Sequence, residues 1–182
     1  MMESNFAVWI TGLPGAGKSV ISDELKKKFE SINLNIRIIR MDEMRKIVTP
    51  DPKYSDEERT IIYNSFAFLA KVLVESRINV IMDATGNLKK YRNLAKKIIP
   101  HFQLVYLKCP LEVAIKREES RQNTRNAPKN IYSKGFQGKS KTVPGIQSKY
   151  EEPQNPDLLI ETDKLTISES ANKIFNYLIK SD

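Results

Sequence analysis

One cysteine, one histidine and one tryptophan stand in 182 residues. The single thiol, Cys109, excludes an intrachain disulfide; beside an expected strand it reads as a buried structural thiol. One histidine and one cysteine cannot make a zinc site. A Ser-His-Asp triad has little to be assembled from either, because His101 follows Pro100 and reads as a loop residue. No apolar run approaches the roughly 20 residues that cross a bilayer, so no membrane partner is expected. Nor does a basic stretch with a cleavage site precede the first strand. With so little cysteine, this points to a reducing, cytoplasmic location. The Asn-Lys-x-Asp sequence of guanine-reading proteins is also missing.

What the chain does have is Gly12-Leu-Pro-Gly-Ala-Gly-Lys-Ser19, which fits G-x-x-x-x-G-K-[ST]. Glycines let the backbone wind tightly and turn its N–H groups onto a phosphate. The following helix adds the partial positive charge of its N-terminus. Lys18 has the length to reach β- and γ-phosphates, and the Ser19 hydroxyl can hold Mg²⁺. The context agrees. Phe6–Thr11 is a continuous apolar run, and Val20, Ile21, Leu25 and Phe29 form a helical stripe after the loop. Gly12, Gly15, Ala16, Gly17, Lys18, Ser19 and Val20 are therefore the expected ATP-binding residues. An ordinary glycine turn is the competing reading.

Short, apolar strands are expected at Phe6–Thr11, Asn35–Met41, Asn79–Ala84, Phe102–Lys108 and Leu158–Thr162. Helices are expected at Lys18–Ser31, Asp56–Ser76, Leu88–Ile99, Leu111–Arg121 and Ser168–Lys180. The second of these carries a stripe at Ile62, Phe66, Leu69 and Leu73, with Ser55 and Glu58 as a capping box at its start. This βαβαβαβαβα order predicts an α/β fold. In it, five parallel strands form one sheet with helices on both faces, and with the phosphate loop after the first strand the chain resembles the three-layer P-loop NTPase sandwiches of the nucleoside-monophosphate-kinase-like type. The length fits one domain over residues 1–182.

The formal net charge is +8. Between Ser120 and Tyr150 lie seven basic residues (Arg121, Arg125, Lys129, Lys134, Lys139, Lys141 and Lys149) and no acidic one. In a phosphate-binding protein such a segment, about 120–150, reads as a basic lid over polyphosphate. A solvated basic loop is the plainer reading. A nucleic-acid partner is disfavoured, because Tyr132 and Phe136 make no repeated stacking series.

Ligands of open α/β sheets bind beyond the carboxyl ends of the strands. Two carboxylates fall there, Asp42 and Asp83. A phosphotransferase needs one group to orient or deprotonate the attacking hydroxyl and oxygen ligands for Mg²⁺. Asp42 is assigned to the acceptor hydroxyl, and Asp83 with Ser19 to the metal. Helix caps or turns are the alternative for both aspartates. Arg45, three residues after Asp42, shares its face if the segment is helical, as a clamp on an anionic acceptor or as a surface ion pair.

The chain resembles the adenylyl-sulfate (APS) kinase family over nearly its whole length. Pro110-Leu-Glu-Val-Ala114 with Arg117-Glu118 is similar to the family's P-L-E-V-C-x-x-R-D, and Ile131-Tyr-Ser-Lys134 to its L-Y-K-K. Pro144-Gly-Ile146 and Tyr150-Glu-Glu-Pro153 are similar to G-I-x-x-P-Y-E-x-P. Asp42-Glu-Met-Arg45 is similar to D-N-V-R, and Tyr54-Ser55 to Arg59 to F-S-x-x-x-R. The resemblance implies transfer from ATP to the ribose 3′-hydroxyl of APS, by a homodimer acting on a small nucleotide substrate. It implies Asp42 as base, Lys18 and Lys134 on the transferring phosphoryl group, and Arg117 against the ATP adenine. It implies Arg45, Tyr54 and Arg59 on the acceptor. Several positions depart from the family. Ile62 replaces an acceptor-binding Asn, Asn64 an Arg, and Val143 a Phe that stacks on the acceptor base. Arg40-Met41 replaces the Asp-Gly before Asp42, and Asp83-Ala-Thr-Gly-Asn87 replaces S-x-I-S-P. Donor handling is expected to be retained and acceptor handling altered. A sister kinase for another nucleotide-linked or small anionic alcohol, or a non-catalytic nucleotide-binding regulator, are the other readings.

Overall fold

The computed structural model describes residues 5–124 and 127–180. Among them, five strands form one sheet: β1 (Ala7–Thr11), β2 (Ile36–Arg40), β3 (Asn79–Asp83), β4 (Phe102–Lys108) and β5 (Leu158–Glu161). Their spatial order is β2-β3-β1-β4-β5, and every neighbouring pair is parallel. All five strands therefore end at the same edge. The helices are α1 (Lys18–Ser31), α2 (Met41–Val48), α3 (Asp56–Glu75), α4 (Lys89–Ile98), α5 (Leu111–Ser120), α6 (Ile131–Phe136) and α7 (Ile167–Lys180).

Successive side chains of a strand point to opposite faces, so the central strand feeds two cores. Val8 and Ile10 face a layer built from Ile21, Leu25 and Phe29 of α1 and Ala171, Ile174 and Leu178 of α7. Ala7 and Trp9 face Ile62, Phe66 and Ala70 of α3 and Tyr91 and Ala95 of α4. Burial on both faces explains why β1 reads as an unbroken apolar run. Trp9 is fully buried and donates its indole N–H to the Ala84 carbonyl at 2.8 Å, which fixes the chain just beyond β3. Its ring stacks on Tyr63, which stacks in turn on Tyr91.

Three local expectations need correction. Met41 does not extend β2; it opens α2, and its side chain packs under α3. The basic segment, for which no helix is expected, contains the short helix α6, whose start is the left-handed Asn130 (φ 55°). Leu69, expected on the core stripe of α3, is instead 39% exposed; Ala67 and Ala70 let the helix approach the sheet in its place. The Ser55 cap forms, with its hydroxyl accepting the Glu58 N–H at 3.2 Å. The return half of the expected box does not. Glu58 instead accepts the N–H groups of Lys53 (2.6 Å) and Tyr54 (3.1 Å).

Candidate active site

A cavity of about 830 Å³ opens at the carboxyl edge of the sheet. Its donor end is the loop from Pro14 to Ser19, followed by Val20. Gly15 (φ 82°) sits so near the start of α5 that a β-carbon there would lie 2.1 Å from the Ala114 carbonyl oxygen. Gly17 (φ 95°) supplies the left-handed turn into α1. Gly12 leaves β1 beneath the loop, and Ala16 is wholly buried under it. Lys18 Nζ donates to the Gly12 and Leu13 carbonyls, each at 3.0 Å. Burial pushes the Lys18 ammonium below its ordinary pKa, against the pull of Asp83 and Asp42. The result is a fixed cation beside backbone N–H groups at a helix N-terminus, a cradle for polyphosphate.

Asp42 lies in the first turn of α2 and Asp83 at the end of β3. Both line the cavity with Lys18 and Ser19. Burial, and then the negative charge of Asp83, raise the Asp42 carboxyl above the usual range. A carboxylate that holds a proton more readily than usual is a better acceptor for a hydroxyl proton, and the shift is in that direction. Asp83 is held from behind: Arg40, its register partner across β2 and β3, donates to one carboxylate oxygen at 2.9 Å. The same guanidinium pairs with Asp23 and lies 3.5 Å from Glu43. The Arg40 that departs from the family pattern is thus the local partner of the Asp83 that also departs from it.

On the acceptor side, α2 does place Asp42 and Arg45 together in the wall. Arg45 is buried, pairs with Glu58 at 2.9 Å and lies over the Tyr54 ring at 4.9 Å. Tyr54 takes a left-handed backbone (φ 55°), and its ring also meets Arg59 at 5.7 Å. Arg59 is a staple. It donates to the Tyr54 carbonyl (3.1 Å), to Asn87 Oδ1 (3.3 Å) and to the Thr142 carbonyl (2.8 Å). It ties the start of α3 to the segment that carries Val143, which lines the cavity. Ile62 does not line it: that side chain is fully buried against the sheet, and its neighbour Tyr63 reaches the cavity instead. Asn64 is exposed and also off the wall.

The basic segment closes the far side. Lys134 of α6 lines the cavity, while Tyr132 anchors the helix by donating to the Pro14 carbonyl at 2.8 Å. Arg121 lines it too, paired with the buried Glu118 at 3.1 Å. Arg125 lies outside the described residues. Arg117 reaches across to the end of β5, donating to the Thr162 carbonyl at 2.8 Å and facing the cavity beside Thr162 and Leu165. Tyr63, Arg121, Thr142 and Thr162 were not singled out from sequence. Only the charge count around Arg121 hinted at any of them.

The described residues contain no cluster of three or more His, Cys, Asp or Glu side chains that would cage a metal unaided. The oxygen donors Ser19 and Asp83 suit Mg²⁺, which takes few protein ligands and shares phosphate oxygens and water.

The sequence model of the adenylylsulphate kinase family matches residues 4–161. The chain belongs to that family. A probable adenylyl-sulfate kinase of Archaeoglobus fulgidus is 35% identical over 160 residues, covering 88% of this chain and 97% of that protein. The adenylyl-sulfate kinase of Halothermothrix orenii is 33% identical, covering 97% and 90%. Among solved structures, the APS kinase of Mycobacterium tuberculosis in complex with AMPPNP and APS superposes with a TM-score of 0.86. It is 27% identical, with 97% of this chain and 98% of that chain covered. A sugar kinase from Janibacter sp. HTCC2649 (15% identity, TM-score 0.69) shares the fold alone. No helix among the described residues is long and apolar enough to cross a membrane.

Proposed function

We propose that this chain is an adenylyl-sulfate kinase, transferring the γ-phosphoryl group of ATP to the ribose 3′-hydroxyl of APS and releasing ADP and 3′-phospho-APS. The observation that carries the reading is one cavity lined by the phosphate loop, Lys18, Asp42 and Asp83, in a member of this family. Asp42 takes the acceptor proton. Lys18 and Lys134 neutralise charge on the transferring group, and Arg117 flanks the donor base. Arg45 and Tyr54 face the acceptor, and Arg59 holds their frame. Ser19 and Asp83 would hold Mg²⁺, which supplies charge neutralisation at the phosphates when bound. Phosphoryl transfer depends chiefly on such positioning and charge stabilisation. The basic segment of about residues 120–150, of which Arg121 and Lys134 line the cavity, acts as a lid, in the cytoplasm where ATP is abundant.

A second reading, a sister kinase for another nucleotide-linked acceptor, is favoured by one observation: small Val143 lines the wall. Because Ile62 and Asn64 lie off the wall, the difference narrows to that position. ADP release measured with APS, other nucleotide-linked acceptors and simple alcohols separates the two. Turnover with APS supports the first reading, and turnover only with another acceptor the second.

Self-association also belongs to this proposal. Ile61, Phe68, Leu69 and Val72 leave an exposed apolar band along the outer side of α3. Such a band supports the homodimer reading, with this face as the contact. Phe68→Glu is expected to shift a dimer to monomer in analytical ultracentrifugation; an unchanged sedimentation profile removes this face from the interface.

A further inference from the structure

Arg121 leaves the end of α5 and enters the same cavity as Lys18, Asp42 and Lys134. Its setting is unusual for a lid residue. One guanidinium nitrogen pairs with Glu118 Oε1 at 3.1 Å and also donates to the Pro128 carbonyl. Its Nε is buried without a partner. Glu118 is 1% exposed, and its second oxygen, Oε2, has no partner either. Burying an ion pair carries a desolvation cost that is recovered only when the remaining lone pairs and protons are satisfied. Here both partners keep an unmet polar atom. A surface ion pair or a simple lid clasp needs neither the burial nor the placement in the cavity wall. The guanidinium is near enough to act on both central groups: its charge adds to the lowering of Lys18, which is due chiefly to burial, and opposes the raising of Asp42.

We propose that Arg121 is a further catalytic residue, contacting the γ-phosphoryl group of the bound nucleotide, and that Glu118 is the positioning residue that holds it. The proposal rests on the kinase reading above. In the step it serves, the acceptor oxygen bonds to the γ-phosphorus and the bond to the β–γ bridging oxygen breaks. ADP leaves with that electron pair, and the hydroxyl proton passes to Asp42. Charge on the transferring group faces a guanidinium that the buried Glu118 holds in place, where a charge-assisted contact is strong. Glu118 prevents the long side chain from swinging out to solvent and leaves the other edge of the fork to face the phosphates.

Two measurements on Arg121→Gln test this, and one needs no acceptor. The first is the preference for a non-hydrolysable ATP analogue over ADP, by titration calorimetry. It is expected to fall about tenfold, with ADP affinity nearly unchanged. The second is kcat with the acceptor, expected to fall about 100-fold or more, as for other arginines on a transferring phosphoryl group. Glu118→Gln is expected to lower kcat about tenfold and to weaken the same nucleotide preference, at an unchanged melting temperature. Analogue preference and kcat both within twofold of the parent, in a folded Arg121→Gln, would overturn the proposal. If that variant does not fold, Arg121→Lys carries the test: the preference falls severalfold, and an unchanged value overturns the proposal. A parent protein that releases no ADP with any acceptor sinks the kinase reading alone, because the nucleotide-preference measurement still judges Arg121.

Discussion

The donor end of the cavity is held by backbone, the acceptor end by side chains. At the donor end, Gly15 and Gly17 set the loop by their own conformations, and Lys18 bonds to carbonyls five and six residues away. At the acceptor end, Arg59 joins residues up to 83 positions apart, and Arg40 joins the ends of two strands. Local backbone geometry fixes a site for a group common to all nucleoside triphosphates. Long-range ion pairs and staples leave the other end free to vary. Of this chain's departures from the family pattern, Val143 lies in the acceptor wall, Asp83 lines the cavity with Arg40 behind it, and Ile62 and Asn64 lie off the wall.

The largest effect is expected where the two ends meet. Asp42→Asn removes the proposed proton acceptor and is expected to lower transfer at least about 10³-fold while leaving ATP-analogue affinity within a few-fold. The sign for stability is opposite. Burial and Asp83 raise the folded-state pKa of Asp42, so its charged form at neutral pH disfavours folding. The stabilisation from a protonated Asp42 is present below its unfolded pKa and lost as pH rises through the raised one. The neutral asparagine is therefore expected to melt higher than the parent at pH 7 and no higher at low pH. Differential scanning calorimetry at two pH values, beside a transfer assay, checks both halves.

Gly15→Ala breaks the donor end through backbone alone. Its new β-carbon would meet the Ala114 carbonyl oxygen, and alanine is strained at φ 82°. Expected are a loss of about 2–4 kcal/mol in urea unfolding and at least tenfold weaker binding of ATP and ADP alike. Nucleotide affinity equal to the parent would contradict the close-approach argument.

Arg59→Met breaks the acceptor end through side chains. Three hydrogen bonds are lost, and the Asn87 and Thr142 oxygens are left unpaired. About 2 kcal/mol of stability should disappear, and acceptor KM should rise about tenfold with a smaller change in ATP KM. An equal rise in both would erase the division between the two ends. The smallest effect is expected from Val143→Phe. An aromatic face there gives a base something to stack on, and stacking contributes about 1–3 kcal/mol. The site is crowded, because Gly135 lies close to Val143. A severalfold lower KM for APS, with a lower melting temperature, is therefore expected; an unchanged KM would show that the base does not reach this wall.

How much was legible follows the same division. The sheet, its parallel order and five of the seven helices among the described residues could be read because apolar runs and stripes are local signals. The donor loop could be read because its glycines and lysine must follow one another directly. Helix α2 was hidden, since eight residues after a strand carry little periodicity and Met41 continues the apolar run. Ile62 was misplaced because resemblance fixes a position along a helix without saying which way it faces; the rotation that buries Phe66 and Ala70 also buries Ile62 and brings Tyr63 to the cavity. The roles of Arg40, Arg59 and Arg121 depended on partners that only the fold brings near.

The central claim is that Lys18 and Asp42 act on one transferring phosphoryl group, with APS as acceptor. Its most direct test is product analysis after incubating the protein with ATP, Mg²⁺ and APS. The account predicts one equivalent of ADP per APS consumed and a product phosphorylated on the ribose 3′-oxygen, neither formed by Asp42→Asn. ADP release no greater with APS than without it would contradict the account.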